Sequence, residues 1–374
     1  MVACLLSVLL ASQPAPFTAT RWQIHDPNGQ PMTYLGQPSL FLDNGVALLR
    51  DSSFGDGTIE FDIALHGHAS FAGLLFRAAD DNNAELIYVR PQRSRQWDAL
   101  QYTPLFDGSE AWQLYSGDGY TAAAELPLNR WVHVRLVVGG YAARVFVDRA
   151  PEPQLVISDL KRPWARGQVG VWGRFGGANF ANLVVSPAPT AAPPARVEAP
   201  VAPGVISTWE LSPVFDAAKV GFDRVPDVLS RTRDWLRVAP ESSGLVNVAR
   251  YRAPVVARQP NAAPGSRDLV LARTTITAGL PTRVRLVFAY SDAVRIFLNG
   301  RPVFDGESRF RARDPSFLGV ASLGPDAVYL DLAGGANELV FAVSETFGGW
   351  GFAARLDGAG EVNVQLPILP SSEE

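Results

Sequence analysis

The stretch WVHVRLVV (131–138) puts Val132, Val134, Leu136 and Val138 on one side of an extended chain and Trp131, His133 and Arg135 on the other. A period of two marks a strand with one face in a core, whereas a helix repeats its apolar positions every three to four residues. The same alternation returns in GTIEFDIAL (57–65), FAGLLFR (71–77), AELIYVRP (84–91), ARVFVDRA (143–150) and GQVGVWGRF (167–175), each bounded by Gly, Asp, Asn or Pro. Many short strands with turn residues between them predict an antiparallel sandwich or jelly roll.

Working outward, SPAPTAAPPARVEAPVAPG (186–204) interrupts the pattern. Proline cannot donate to a ladder, so this tract reads as a semi-rigid linker. Beyond it the alternation resumes in LVLARTTITA (269–278), TRVRLVFAYS (282–291) and NELVFAVSE (337–345), and Asn299-Gly300 sits between two apolar runs as a two-residue hairpin turn. One short helix is expected within 216–235. The chain is therefore expected to be all-β, with two antiparallel β-sandwich domains at 20–185 and 205–369, the linker at 186–204 and a tail at 370–374. A length of 374 residues suits two domains.

The apolar start MVACLLSVLL and the small residues and prolines that follow read as a secretory signal peptide over 1–19, which predicts a secreted or periplasmic protein. Cys4, the single cysteine, would leave with it, so the mature chain would have no disulfide. No later run is long enough for a membrane span. The formal charge of −4 and pI near 5.7 argue against a nucleic-acid partner. Lysine occurs only at 161 and 219, so the many arginines reflect a general bias more than a site.

The series FGDGTIEFDIAL, FAGLLFRAADDNNAELIYVRP, DALQYTP, NRWVHVRLVV and GQVGVW resembles the concanavalin-A-like lectin and glucanase sandwiches, in the branch with laminin-G-like and 3-keto-disaccharide-hydrolase-like domains. VRIFLNGRPVF and NELVFAVSE in the second half are similar to galactose-binding-like jelly rolls. These resemblances imply saccharide binding or glycosidic cleavage in the first domain and an accessory role for the second.

Glycosidic cleavage needs two flanking carboxylates. Glu60 and Asp62 share a strand face, but the E-x-D-x-x-E pattern of the glucanases is broken, since Ile63, Ala64 and Leu65 follow. His66 and His68 form an H-x-H pair without an evident third zinc ligand. Asp80, Asp81, Asn82 and Asn83 offer oxygens to calcium, although such runs also build hairpins. Hence no catalytic or metal residue is assigned.

Sugar sites combine aromatic rings for the apolar pyranose face with planar polar groups for its hydroxyls. Residues 77–115 are dense in both, and Arg77, Tyr88, Arg90, Trp97, Asp98, Gln101, Tyr102, Trp112 and Tyr115 are the candidate ligand contacts, on one groove. Trp131, Trp172 and Trp209 are assigned to core. Arg311, Arg313, Asp314, Glu345, Trp350 and Arg355 form a weaker candidate in the second half. The expected function is carbohydrate binding without cleavage. The alternatives are a keto-glycoside hydrolase or lyase acting in the same groove, and a non-catalytic adhesive or scaffold protein.

Overall fold

The computed structural model describes residues 14–18, 20–67, 69–189, 196, 200–256, 267–358 and 362–365. Most of the expected signal peptide, Cys4 and His68, the greater part of the linker beyond 189, and the tail at 370–374 lie outside them.

The chain forms two compact units, one of residues 1–104 and 116–196, the other of 105–115 and 197–374. Both are all-β, and the four sheets are built from antiparallel pairs. In the first unit the strands are β1 (Trp22–His25), β2 (Gln30–Tyr34), β3 (Gln37–Leu42), β4 (Gly45–Leu49), β5 (Gly57–Leu65), β6 (Phe71–Asp80), β7 (Asn83–Val89), β8 (Leu100–Leu105), β9 (Thr121–Ala122), β10 (Trp131–Gly139), β11 (Ala142–Val147), β12 (Leu155–Ile157), β13 (Gln168–Arg174) and β14 (Ala178–Pro187). They make two seven-stranded sheets, ordered β1-β4-β13-β6-β7-β8-β9 and β12-β11-β10-β5-β14-β3-β2. The core lies between the sheets. Leu74, Phe76, Ile87, Val89 and Val171 enter it from the first, and Phe61, Ile63, Val132, Val134, Leu136 and Phe180 from the second.

The alternation read in 131–138 holds: Val132, Val134, Leu136 and Val138 are buried, while Trp131, His133 and Arg135 are half-buried on the outward face. Trp131 is therefore not core. Trp172 is buried, yet it stands on the outward face of the first sheet; Trp209 is in the second core, as expected. Strand β14 continues through Ser186 and Pro187, pairing with Thr58 and Gly57, so the sheet takes the first residues of the expected linker. Ala15 packs into the first core and Phe17 stacks on Trp22 at 5.0 Å, although both fall in the stretch expected to be signal peptide.

In the second unit a sheet centred on Asp268–Ala278, Gly335–Glu345 and Ala293–Leu298 faces a four-stranded sheet of Leu245–Asn247, Gly351–Asp357, Thr282–Ser291 and Asp326–Leu332. Asn299 (φ 50°) and Gly300 (φ 75°) turn the hairpin between Ala293–Leu298 and Arg301–Glu307, the positive φ values that a two-residue turn requires. The helical stretch is two short α-helices, Ala217–Val220 and Val225–Arg231, with a 3-10 turn between them.

Candidate functional site

Four of the nine candidate contacts come together at the exit of β7. Asp98 is buried and accepts from Arg90 Nη1 at 3.2 Å and from Arg93 Nε at 2.7 Å. Arg90 Nη2 donates to the Tyr88 hydroxyl and to Gln101 Oε1, and its guanidinium lies 5.1 Å from the Tyr88 ring centre. The loop between β7 and β8 is pinned around this ion cluster. Arg90 N bonds Ala99 O, Arg95 N bonds Ala124 O, and Ser94 Oγ accepts from Leu126 N. From this rigid loop Trp97 is 46% exposed, the one large apolar side chain of the segment left open.

The other candidates are elsewhere. Arg77 (φ 51°) is buried, donating to Gly55 O, Gly140 O and Asp56 Oδ1 at 2.8, 2.6 and 2.7 Å, so it ties turns together. Burial pulls its guanidinium below the ordinary value, against the raising effect of the Glu85 and Asp56 carboxylates. Tyr102 is in the core; its hydroxyl donates to Glu85 Oε2 at 2.7 Å and accepts from Lys161 N at 2.6 Å. Burial raises the Glu85 carboxyl, opposed by the Tyr102 bond. Trp112 and Tyr115 belong to the second unit, where Trp112 meets Phe310 and Phe347 and the Tyr115 hydroxyl donates to Glu241 Oε1. Nearness in sequence placed them in the groove, but the chain leaves the first unit after β8 and returns before β9.

Register adds residues that sequence reading missed. Gly73 on β6 lies between Tyr88 on β7 and Trp172 on β13. A Cβ at 73 would stand 2.3 Å from Ile87 O and 2.7 Å from Tyr88 Cβ. With no side chain there, Tyr88 and Trp172 meet across the glycine at 5.5 Å between ring centres. Phe71 continues the row, 6.0 Å from Tyr88 and edge-on to Phe175 at 5.3 Å. Arg174 lies over Trp172 at 5.5 Å and donates to Asn44 Oδ1. Phe175 is 62% exposed and sits at φ 57°, a conformation that bulky side chains adopt only at a cost. The outward face of the first sheet thus carries a run of rings flanked by Arg90, Gln101 and Arg174. The one available sequence signal was the glycine repeat at 167, 170 and 173 beside Trp172, which marks close backbone approach.

The remaining motifs resolve locally. Asp80 to Asn83 close the β6–β7 hairpin: Asp80 Oδ1 accepts from Asn82 N and Asn83 Nδ2, and Asp81 pairs with His25 at 2.8 Å. His66 Nε2 lies 2.6 Å from Asn179 Oδ1. Among the described residues no three His, Cys, Asp or Glu side chains are grouped to hold a metal ion. In the second unit, Arg313 pairs with Asp326, Arg355 with Asp357 and Asp314 with Ser316, while Trp350 is core, so these do not converge.

No protein-family model matches the sequence, and no curated protein matches it significantly. Among solved structures the chain is similar to the carbohydrate binding module CBM66 from Bacillus subtilis (19% identity, 44% of this chain and 93% of that one, TM-score 0.35). It is also similar to a Bacillus subtilis protein of unknown function with a galectin-like fold (14%, 47% and 94%, TM-score 0.36). A third likeness is the Bacillus licheniformis beta-glucanase (13%, 46% and 94%, TM-score 0.33).

Proposed function

We propose that the chain is an exported carbohydrate-binding protein that holds a glycan on the outward face of the first sheet and does not cleave it. The observation that carries this reading is the row Trp172, Tyr88, Phe71 and Phe175, with Arg90, Gln101 and Arg174 alongside. Rings offer flat apolar surface to the C–H face of a pyranose, and planar guanidinium and amide groups fork to neighbouring hydroxyls. Tyr88 and Trp172 form the buried floor; Phe175, Phe71 and Trp97 are the accessible contacts.

Binding is favoured over cleavage by what the nearby carboxylates do. Asp98 is engaged by two arginines and Glu85 faces the core, so neither flanks a bond laid along the rings. Export rests on the apolar start MVACLLSVLL, a leader that would end before Ala15, which packs into the first core; a secreted or periplasmic location follows from it.

The test is a glycan array with the full chain, followed by calorimetry on the best ligand for Trp97→Ala and Phe175→Ala. Loss of a stacking ring is expected to weaken binding about tenfold, roughly 1.4 kcal/mol. A native protein that binds no glycan, or binding indifferent to both changes, refutes the reading.

A further inference from the structure

The outward face of the second sheet carries a separate cluster that the proposed glycan face does not use. His133 on β10 lies opposite Asp62 on β5, and Glu60 is two residues along the same strand face. The imidazole stands between the two carboxylates, Nδ1 2.8 Å from Asp62 Oδ1 and Nε2 3.4 Å from Glu60 Oε1. Asn182 Nδ2 donates to Asp62 Oδ2 at 2.7 Å, so the aspartate is fixed from both sides. The Glu60 side chain is 40% exposed.

Rings border this polar patch. Tyr34 stacks on His66 with ring centres 4.6 Å apart and planes 17° from parallel, and it meets Trp131 edge-on at 6.1 Å. Its hydroxyl donates to Asn129 Oδ1 at 3.1 Å. Trp131 Nε1 is buried there with no hydrogen-bond partner among the described residues, a donor left over beside the Tyr34 ring. Tyr34, His66, Trp131 and His133 are all half-buried, neither core nor fully solvated.

We propose that this face is a second saccharide-binding surface, taking a neutral sugar unit whose C–H face rests on Tyr34 and whose hydroxyls donate to Glu60 and Asp62. Three features favour such a ligand. The carboxylates are acceptors that cannot satisfy one another, and His133 and Asn182 hold them in place before a ligand arrives. The ring is locked by two aromatic neighbours and one hydrogen bond, so little side-chain freedom remains to be lost on binding. The charge is acceptor-rich: the arginine of the same row, Arg135, is laid over Phe146 at 3.8 Å from the ring centre, on the side of β11. A uronate or sulfate would meet the two carboxylates and be repelled, whereas a neutral sugar loses nothing to charge.

The experiment is affinity electrophoresis of the full chain in gels containing neutral β-glucan, xylan or fructan, and in a gel containing polygalacturonate. The variants are Tyr34→Ala, Glu60→Gln and Phe175→Ala, each checked for an unchanged urea midpoint. We expect Tyr34→Ala and Glu60→Gln each to weaken retardation by at least one neutral polysaccharide about tenfold, and to do so again when added to Phe175→Ala, which weakens the first face; no retardation by polygalacturonate is expected. If Tyr34→Ala and Glu60→Gln are retarded like the native chain, this second surface is refuted, and the face around Phe175 stands or falls on its own variant. Retardation by polygalacturonate that depends on Tyr34 refutes the charge selection. A native chain retarded by no polysaccharide refutes both faces.

Discussion

Asp98→Asn is the sharpest probe of the first-sheet site. It keeps the shape of the side chain and removes the charge that two guanidinium groups share. The Asp98 carboxylate is 1% exposed, Arg90 10% and Arg93 35%. The Arg90 contact is therefore effectively buried, and breaking such a pair costs about 3–5 kcal/mol because a charge is left uncompensated. The Arg93 contact is more open to water and adds at most about 1 kcal/mol. For a unit of this size, 3–5 kcal/mol corresponds to a fall in Tm of roughly 6–20 °C. Urea unfolding gives the free energy, and trypsin reports locally, since Arg93 and Arg95 lie in the loop that the cluster pins. The expected result is a lower urea midpoint together with faster cleavage after these arginines. Replacing the pair together, Arg90→Met with Asp98→Leu, should recover most of the loss, because no buried charge remains. A single substitution that costs less than about 1 kcal/mol and leaves the loop resistant to trypsin would show that the cluster does not order the site.

Three further outcomes follow from other features. Glu345 in the second unit is buried, and burial first, then the nearby Asp292 and Asp268 charges, hold its carboxyl well above the usual range. The folded chain then keeps a proton that the unfolded chain releases above about pH 4.3, so this group's contribution to stability declines as pH rises from there. Glu345→Gln should accordingly gain on the native chain in urea midpoint between pH 4 and pH 7.5; a native chain that gains on the variant over that range overturns the sign. Gly73→Ala forces a methyl against Ile87 O and should cost about 1–3 kcal/mol while parting Tyr88 from Trp172, read as a loss of near-ultraviolet circular dichroism. Phe175→Gly relieves a positive φ that costs a non-glycine residue about 1–2 kcal/mol, so stability should hold or rise while glycan affinity falls. Retained affinity with lost stability would make Phe175 a packing residue.

How much of the site was legible depended on distance along the chain. Tyr88 and Gln101 lie on adjoining strands, Arg90 and Asp98 in the one loop that joins them, and their grouping was readable from alternation and the loop's composition. Phe71, Trp172 and Phe175 were missed because their meeting depends on register between β6, β7 and β13, and β13 follows β7 by roughly eighty residues of sequence. The Glu60 and Asp62 pair was seen, but not its partner His133, which reaches them only through the β5–β10 ladder. Trp112 and Tyr115 were misplaced for the opposite reason. They are close to the site in sequence, yet the segment 105–115 folds with the second unit.

The sequence by itself determined the all-β class, the inward faces of strands such as 131–138 and the hairpin at Asn299-Gly300. These follow from side-chain alternation and local backbone preference, which act over a few residues. Only the tertiary structure decided which outward side chains meet. A glycine between two rings, an imidazole between two carboxylates and an aspartate closed on two arginines are products of strand register and loop closure. A shift of one residue in register would turn the rings, the imidazole and the two carboxylates to the other face of their sheets.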